Sequence, residues 1–281
     1  MLKVLLPTDF SENSRNAIDY ALRFYEDTEC TFFFLHTYTP AAYRIDYILG
    51  SPAQIGMGDN WQSETEDQMS EFCKDVSYAS QNPKHRFITH IALESLLTEV
   101  LKVTAKEKID MIVMGTQGAT GAKSVFLGTK TVNVIKVAAC PVLVVPNGCF
   151  YKVPKKVALV TNFKRNFSAE ILAPVKCILT RFKTSMHIMH VNEEERLDSI
   201  QASNRNTLDA YLDIFKPKYH WMPNFSNKTK SIQVFVKELD IDLLTMVKND
   251  HDFFEGLMRE PIIKKISFSI EIPFLVIPVA D

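Results

Sequence analysis

The sequence predicts an α/β fold built as two tandem copies of one domain, each a parallel sheet covered by helices on both faces. Three observations predict it. Short apolar runs of strand length alternate with stretches of helical period. Landmark motifs occur twice along the chain, in the same order. The turns that carry glycine, threonine and aspartate follow the apolar runs, at the edge where such sheets receive ligands.

In the first copy, Val4–Pro7 reads as a short buried strand. Ser11 is placed to cap a helix whose apolar face is Ala17, Ile18, Ala21, Leu22 and Tyr25. Thr31–Leu35, with its run of three phenylalanines, is a second strand, and Phe87–Ala92 alternates as a third. Ser95–Lys106 carries Leu96, Leu97, Val100, Leu101 and Ala105 on one helical face. Ile109–Met114 is the fourth strand, a helix follows around Thr129–Val137, and Pro141–Val145 closes the copy. Strands and helices in alternation imply parallel pairing through right-handed crossovers.

The second copy is read from repeated landmarks. Lys3-Val4-Leu5-Leu6-Pro7-Thr8-Asp9-Phe10 returns as Lys156-Val157-Ala158-Leu159-Val160-Thr161-Asn162-Phe163. Ile109–Met114 parallels Ile241–Met246, and Cys140–Pro146 parallels Ile272–Pro278. These matches divide the chain into residues 1–147 and 154–281, joined near Asn147 to Pro154. Asn162 stands 153 positions after Asp9, whereas Pro273 stands 132 after Pro141, so the first copy is longer by 21 residues. The excess is placed in Pro40–Gln62, rich in Gly, Pro, Ala and Asn, as a surface loop. A lid over a ligand is the sharper alternative for it.

Composition narrows the function classes. A chain of 281 residues with 46% hydrophobic and 23% charged residues is an ordinary globular composition. A net charge of −1 argues against a broad nucleic-acid surface. The five cysteines are odd in number and form no C-x-x-C pair, so buried thiols in a reducing compartment are expected. The opening Met-Leu-Lys-Val-Leu-Leu-Pro is too short for a signal core, and no apolar run is long enough to span a bilayer. A cytoplasmic location, away from membranes, is expected. No metal site is expected either: His187 and His190 point to opposite faces of a strand, and His85 and His90 lack partners at ligand spacing. No G-x-S-x-G elbow, Walker loop or dinucleotide fingerprint occurs, and no catalytic residue is assigned.

One motif points to a ligand. Met114-Gly115-Thr116-Gln117-Gly118 leads to Gly128-Thr129-Lys130-Thr131 at a helix start. Glycines let a backbone approach an anion, and the amides opening a helix carry partial positive charge. A plain strand-to-helix turn explains the same residues, with Asp9, Thr129 and Thr131 acting only as helix caps or first-turn residues. Together with Pro7-Thr8-Asp9-Phe10-Ser11, Leu35-His36-Thr37 and Cys140–Val145, the pattern resembles the universal stress protein family, over nearly all of the first copy. The resemblance implies two tandem Rossmann-like domains, each a five-stranded parallel sheet flanked by helices, paired through their last strands as an internal pseudo-dimer. It also implies ATP as ligand, with Mg²⁺ beside the phosphates. By that resemblance Pro7, Thr8 and Asp9 meet the adenosine end and Thr37 lines the base pocket. Met114, Gly115 and Gly118 border ribose and phosphates, and Gly128, Thr129, Lys130 and Thr131 form the phosphate cradle. A small apolar residue is usual in the family where Lys130 stands; the lysine adds charge at the phosphates or points to solvent.

The second copy lacks this chemistry. Val247, Asp250, Glu260 and Pro261 stand where the first copy has Gly115, Gly118, Gly128 and Thr129, and Asn162 replaces Asp9. Two carboxylates and a proline oppose phosphate binding there. A frame kept without the glycines implies that the fold does not require them, and one ATP site per chain is expected, in the first copy. The sequence therefore reads as a nucleotide-dependent stress-response binding module. A slow ATP hydrolase and an interaction scaffold with a vestigial site are the alternatives. Protein clients, and association of two tandem chains, are left open.

Overall fold

Residues 1–38, 58–116, 127–192, 196–223, 228–248 and 271–279 are described by the computed structural model of this chain. Strand β1 (Leu2–Pro7) is followed by α1 (Glu12–Phe24), which starts at Ser11 as the side chain of that residue accepts the Ser14 N–H. All five apolar positions foreseen on this helix are buried. Then come β2 (Cys30–Thr37), α2 (Gly58–Ser80), β3 (His85–Ala92), α3 (Leu96–Glu107), β4 (Met111–Gly115), α4 (Thr129–Val137) and β5 (Val142–Val145). The second half repeats the alternation with β6 (Lys156–Val160), α5 (Ala169–Phe182), β7 (Ser185–Asn192), α6 (Ser199–Leu212), β8 (Lys218–Pro223), α7 (Lys228–Glu238), β9 (Leu243–Val247) and β10 (Phe274–Ile277).

Helix α2 corrects one expectation. The sequence predicts a loop over 40–62, yet residues 58–62 already belong to this helix. Its inner face is Met69, Phe72 and Val76, all buried, with half-buried Cys73 between them. Residues 39–57 lie outside the described residues, and with them the lid alternative.

The strands join in one sheet of order β3-β2-β1-β4-β5-β10-β9-β6-β7-β8. Within each half every pairing is parallel. The halves meet where β5 and β10 pair antiparallel, Val144 opposite Phe274 and Val142 opposite Val276. The last strand of each half thus covers the edge of the other, which leaves no apolar edge unpaired at the centre. Both faces of the sheet are buried, and alternate residues feed different cores. Phe32 and Phe34 join one, with Leu143, Leu159 and Leu275; Phe33 and Leu35 join the other, with Val144, Val160 and Val276. Each core runs through both halves. A second contact lies beside one core, where Arg181 of α5 places its guanidinium 4.8 Å from the Phe182 ring and 5.7 Å from Phe24 of α1.

The repetition extends to individual hydrogen bonds. Asp110 accepts the Lys3 N–H at 2.8 Å, and Asp242 accepts the Lys156 N–H at 3.0 Å. The Lys3 ammonium reaches the Glu107 carbonyl, and that of Lys156 the Leu239 carbonyl, both at 2.7 Å. Phe10 and Phe163 share a left-handed backbone, φ 62° and 56°, each amide donating to the threonine hydroxyl two residues earlier. Among the described residues no helix is long and apolar enough to cross a membrane.

Candidate functional site

The carboxyl ends of β1, β2 and β4 and the start of α4 meet at one edge of the first half. Pro7 ends β1, and the Thr8 N–H donates to the Leu35 carbonyl at 2.8 Å. The buried Thr8 hydroxyl is 3.0 Å from the Ser14 hydroxyl and accepts the Phe10 N–H, so it fixes the turn. Asp9 accepts from Ser11 twice, from the amide at 3.2 Å and from the hydroxyl at 2.5 Å. Its carboxylate therefore closes the turn into α1 while the residue stays half-exposed. His36, near the end of β2, carries its Nδ1 2.8 Å from the Thr8 carbonyl. A carbonyl only accepts, so Nδ1 holds the proton. Burial lowers the His36 pKa below the usual histidine value, and Lys130 adds to that, while the Thr8 bond and Asp9 oppose it. Its Nδ1 contact ties the end of β2 to the turn after β1. Thr37, the last residue of β2, is half-buried at the same edge.

On the β4 side, Met114 and Gly115 are buried at the strand end. A Cβ on Gly115 would stand 2.7 Å from Nδ2 of Asn13, so the glycine admits a buried carboxamide from the first turn of α1. The Thr131 hydroxyl donates to the Gly115 carbonyl at 2.9 Å, which ties the start of α4 to the end of β4. Gly128 is the residue before the helix, with φ −63° and ψ 149° and no side-chain cap. The opening amides of a helix have no acceptor within it. Here the first turn holds Thr129 and Lys130, both exposed, and no acidic residue. By contrast α1, α3 and α5 open with a serine cap and a first-turn glutamate. The start of α4 is accordingly basic and offers donors to an anion.

Thr116 was not singled out by its sequence. Its side chain is 2% exposed, and the hydroxyl finds no hydrogen-bond partner among the described residues. It follows Gly115 directly, and its carbonyl accepts the Gly128 N–H. Only its position inside the glycine motif could have flagged it. The structure thus gathers Pro7, Thr8, Asp9, Thr37, Met114, Gly115, Gly128, Thr129, Lys130 and Thr131 on one edge, while Gly118 lies outside the described residues.

At the matching edge of the second half the corner is packed with polar side chains. Gln201 of α6 donates to the Asn162 carbonyl at 2.8 Å, and Asn204 to the Phe163 carbonyl at 2.8 Å. Asn162 bonds the Lys164 amide, as Asp9 bonds that of Ser11. His190 repeats His36 with Nδ1 3.1 Å from the Thr161 carbonyl. His187 pairs instead with His220, Nδ1 to Nε2 at 3.0 Å. Asp250, Glu260 and Pro261 lie outside the described residues.

Comparison with known proteins places the chain among relatives. Residues 1–146 match the model of the universal stress protein family. A universal stress protein of Methanocaldococcus jannaschii is 30% identical over 159 residues, which cover 55% of this chain and 84% of that protein. A second from the same organism is 26% identical over 151 residues, 51% of this chain and 93% of its own length. A solved universal stress protein structure from Archaeoglobus fulgidus spans 99% of this chain and 97% of its own, with a TM-score of 0.65 at 17% identity. At that identity the likeness is one of fold, and it extends over both halves.

Proposed function

The chain belongs to the universal stress protein family, and from that membership we propose that its first half binds ATP at the carboxyl edge of β1, β2 and β4. The start of α4 carries the reading. It is an uncapped helix N-terminus with a first-turn lysine and no acid, and Thr116 beside it buries a hydroxyl that lacks a partner among the described residues. A triphosphate supplies the acceptors that these donors lack. Asp9 and Thr37, at the ends of the two strands next to each other, suit ribose hydroxyls or the adenine amine. Mg²⁺ enters this proposal as the counter-ion of the phosphates. The second half, taken as residues 154–281 beside a first half of 1–147, serves as the structural partner and binds no ATP in this mode.

Nucleotide analysis of freshly purified protein separates the classes. Intact ATP supports a nucleotide-dependent binding module, ADP supports a hydrolase, and neither supports a scaffold. Gly128→Asp tests the cradle more sharply. The Gly128 backbone is open to any residue, and aspartate caps helices as well as glycine or a few tenths of a kcal/mol better. Circular dichroism and thermal stability should be unchanged or slightly raised in this variant. A carboxylate at the helix start repels phosphate, so calorimetric titration should show ATP binding lost. Unchanged affinity would remove α4 from the site.

A further inference from the structure

We propose that Lys248 is the residue through which the second half positions α4, and so sets how strongly the first half holds an anion. The proposal rests on the nucleotide reading of the α4 first turn. It starts from the antiparallel junction of β5 with β10, which sets the carboxyl edge of the second half beside the amino edge of the first. Helix α4 runs between the two edges of its own half. It starts at the candidate site and ends just before β5, next to the carboxyl edge of the other half.

Lys248 sits at that edge, directly after β9, its N–H donating to the Ile277 carbonyl at 2.8 Å. Thr116 occupies the equivalent place in the first half, its N–H donating to Val145 at 3.2 Å. The two side chains do different things. The Lys248 ammonium crosses the junction and donates to the carbonyl of Lys136, in the last turn of α4. That carbonyl belongs to the group at a helix end without an internal donor, and a cation there complements the helix dipole. The backbone of the lysine is itself held, since Arg165, from the turn after β6, donates to the Lys248 carbonyl at 3.4 Å. A threonine is too short to make the reciprocal contact, so the tie runs from the degenerate half to the half with the candidate site. Helix α4 has nine residues, about 14 Å of rigid rod between the tie and the first turn.

The test compares the full-length protein with Lys248→Met, which keeps the stem and drops the charge, and Lys248→Arg, which restores a donor. In protein free of nucleotide, hydrogen exchange should quicken in Lys248→Met along α4 as far as Val132, whose amide bonds Gly128 at the cradle. It should return towards the wild-type rate in Lys248→Arg. Titrated with ATP, Lys248→Met should bind about two- to five-fold more weakly, the size of one cation–helix-end interaction. Exchange that changes only in the last turn, or an ATP affinity equal to wild type, overturns the proposal. If the wild-type protein takes up no ATP, the reading of the site fails by itself. The exchange rate at Val132 then decides on Lys248 alone, faster supporting the tie and unchanged refuting it.

Discussion

Asn13 and Gly115 show how one missing side chain shapes the first half. The glycine leaves room for the Asn13 carboxamide, whose nearest atom would lie 2.7 Å from an added Cβ. Because Asn13 is 6% exposed, its side chain has little space to withdraw. Gly115→Ala should therefore destabilise the protein by about 1–3 kcal/mol through overpacking, measured by denaturant titration. Asn13→Ala in the same chain should recover most of the loss; a double variant no better than the single one would show that Asn13 is not the obstacle. At Gly115 this corrects the expectation that the fold does not require the glycines of the motif. In the second half the helix after β6 is capped by Ser168, five residues beyond Phe163, whereas Ser11 directly follows Phe10. The longer turn starts the helix later in the chain, so its first turn does not match that of α1 position for position. Thr116 gives a complementary test. Thr116→Val keeps the shape and removes a buried hydroxyl that finds no partner among the described residues, so stability should stay level or rise, because such a group costs free energy. ATP affinity should fall by about ten-fold, the value of one hydrogen bond near the upper end of the usual range. An affinity unaffected by the change would place Thr116 outside the ligand's reach.

Among the elements, α2 and the β7–β8 pair divide what was legible from what was not. The α2 signal was present as Met69, Phe72, Cys73 and Val76 at helical spacing, but a preceding stretch rich in Gly, Pro, Ala and Asn drew its start into a loop. Strand ends were clearer: β1, β4 and β5 all stop where proline or glycine turns begin. The His187–His220 bond, by contrast, joins residues 33 apart in sequence and depends on β8 lying beside β7, which no local period encodes. Burial drives the His187 pKa down to about 4, helped by His220, Lys218 and Lys156. Its neighbour His220 is lowered by burial and by Lys218. The folded protein therefore takes up a proton at lower pH than the unfolded chain does. Stability from these groups is complete above the ordinary histidine pKa, near 6.5, and falls as pH drops from there towards 4. The melting temperature should decline between pH 7 and pH 5, and Asn at position 187, as in His187→Asn, should flatten the decline without abolishing it. His220 and His36, both also lowered, still contribute the remainder. An identical slope in the variant would remove His187 as a source.

For the whole molecule, the seam between β5 and β10 decides whether the chain behaves as two domains or as one folding unit. The sequence made both halves legible because each must bury strands on two faces, which writes the same apolar runs twice. It was silent on the continuity of the cores, which follows from antiparallel pairing of two short strands far apart in the chain. Leu275 lies opposite Leu143 in that pairing, and the two are 0% and 1% exposed. They belong to the core that also holds Val4 and Phe32 of the first half and Leu159 and Leu179 of the second. Removing the strand contact would strip an edge from each sheet at once and open that core to water. The halves should accordingly unfold together, in one calorimetric transition. Leu275→Ala should cost about 2–5 kcal/mol, as for other large-to-small core changes, and should lower the temperature of that single transition. Ellipticity from both halves and the fluorescence of Trp221, which lies in β8 at the far end of the second half, should then report one midpoint. Two resolved transitions in the wild-type protein, with Leu275→Ala shifting only one of them, would show that each half folds on its own core and that the seam merely docks them.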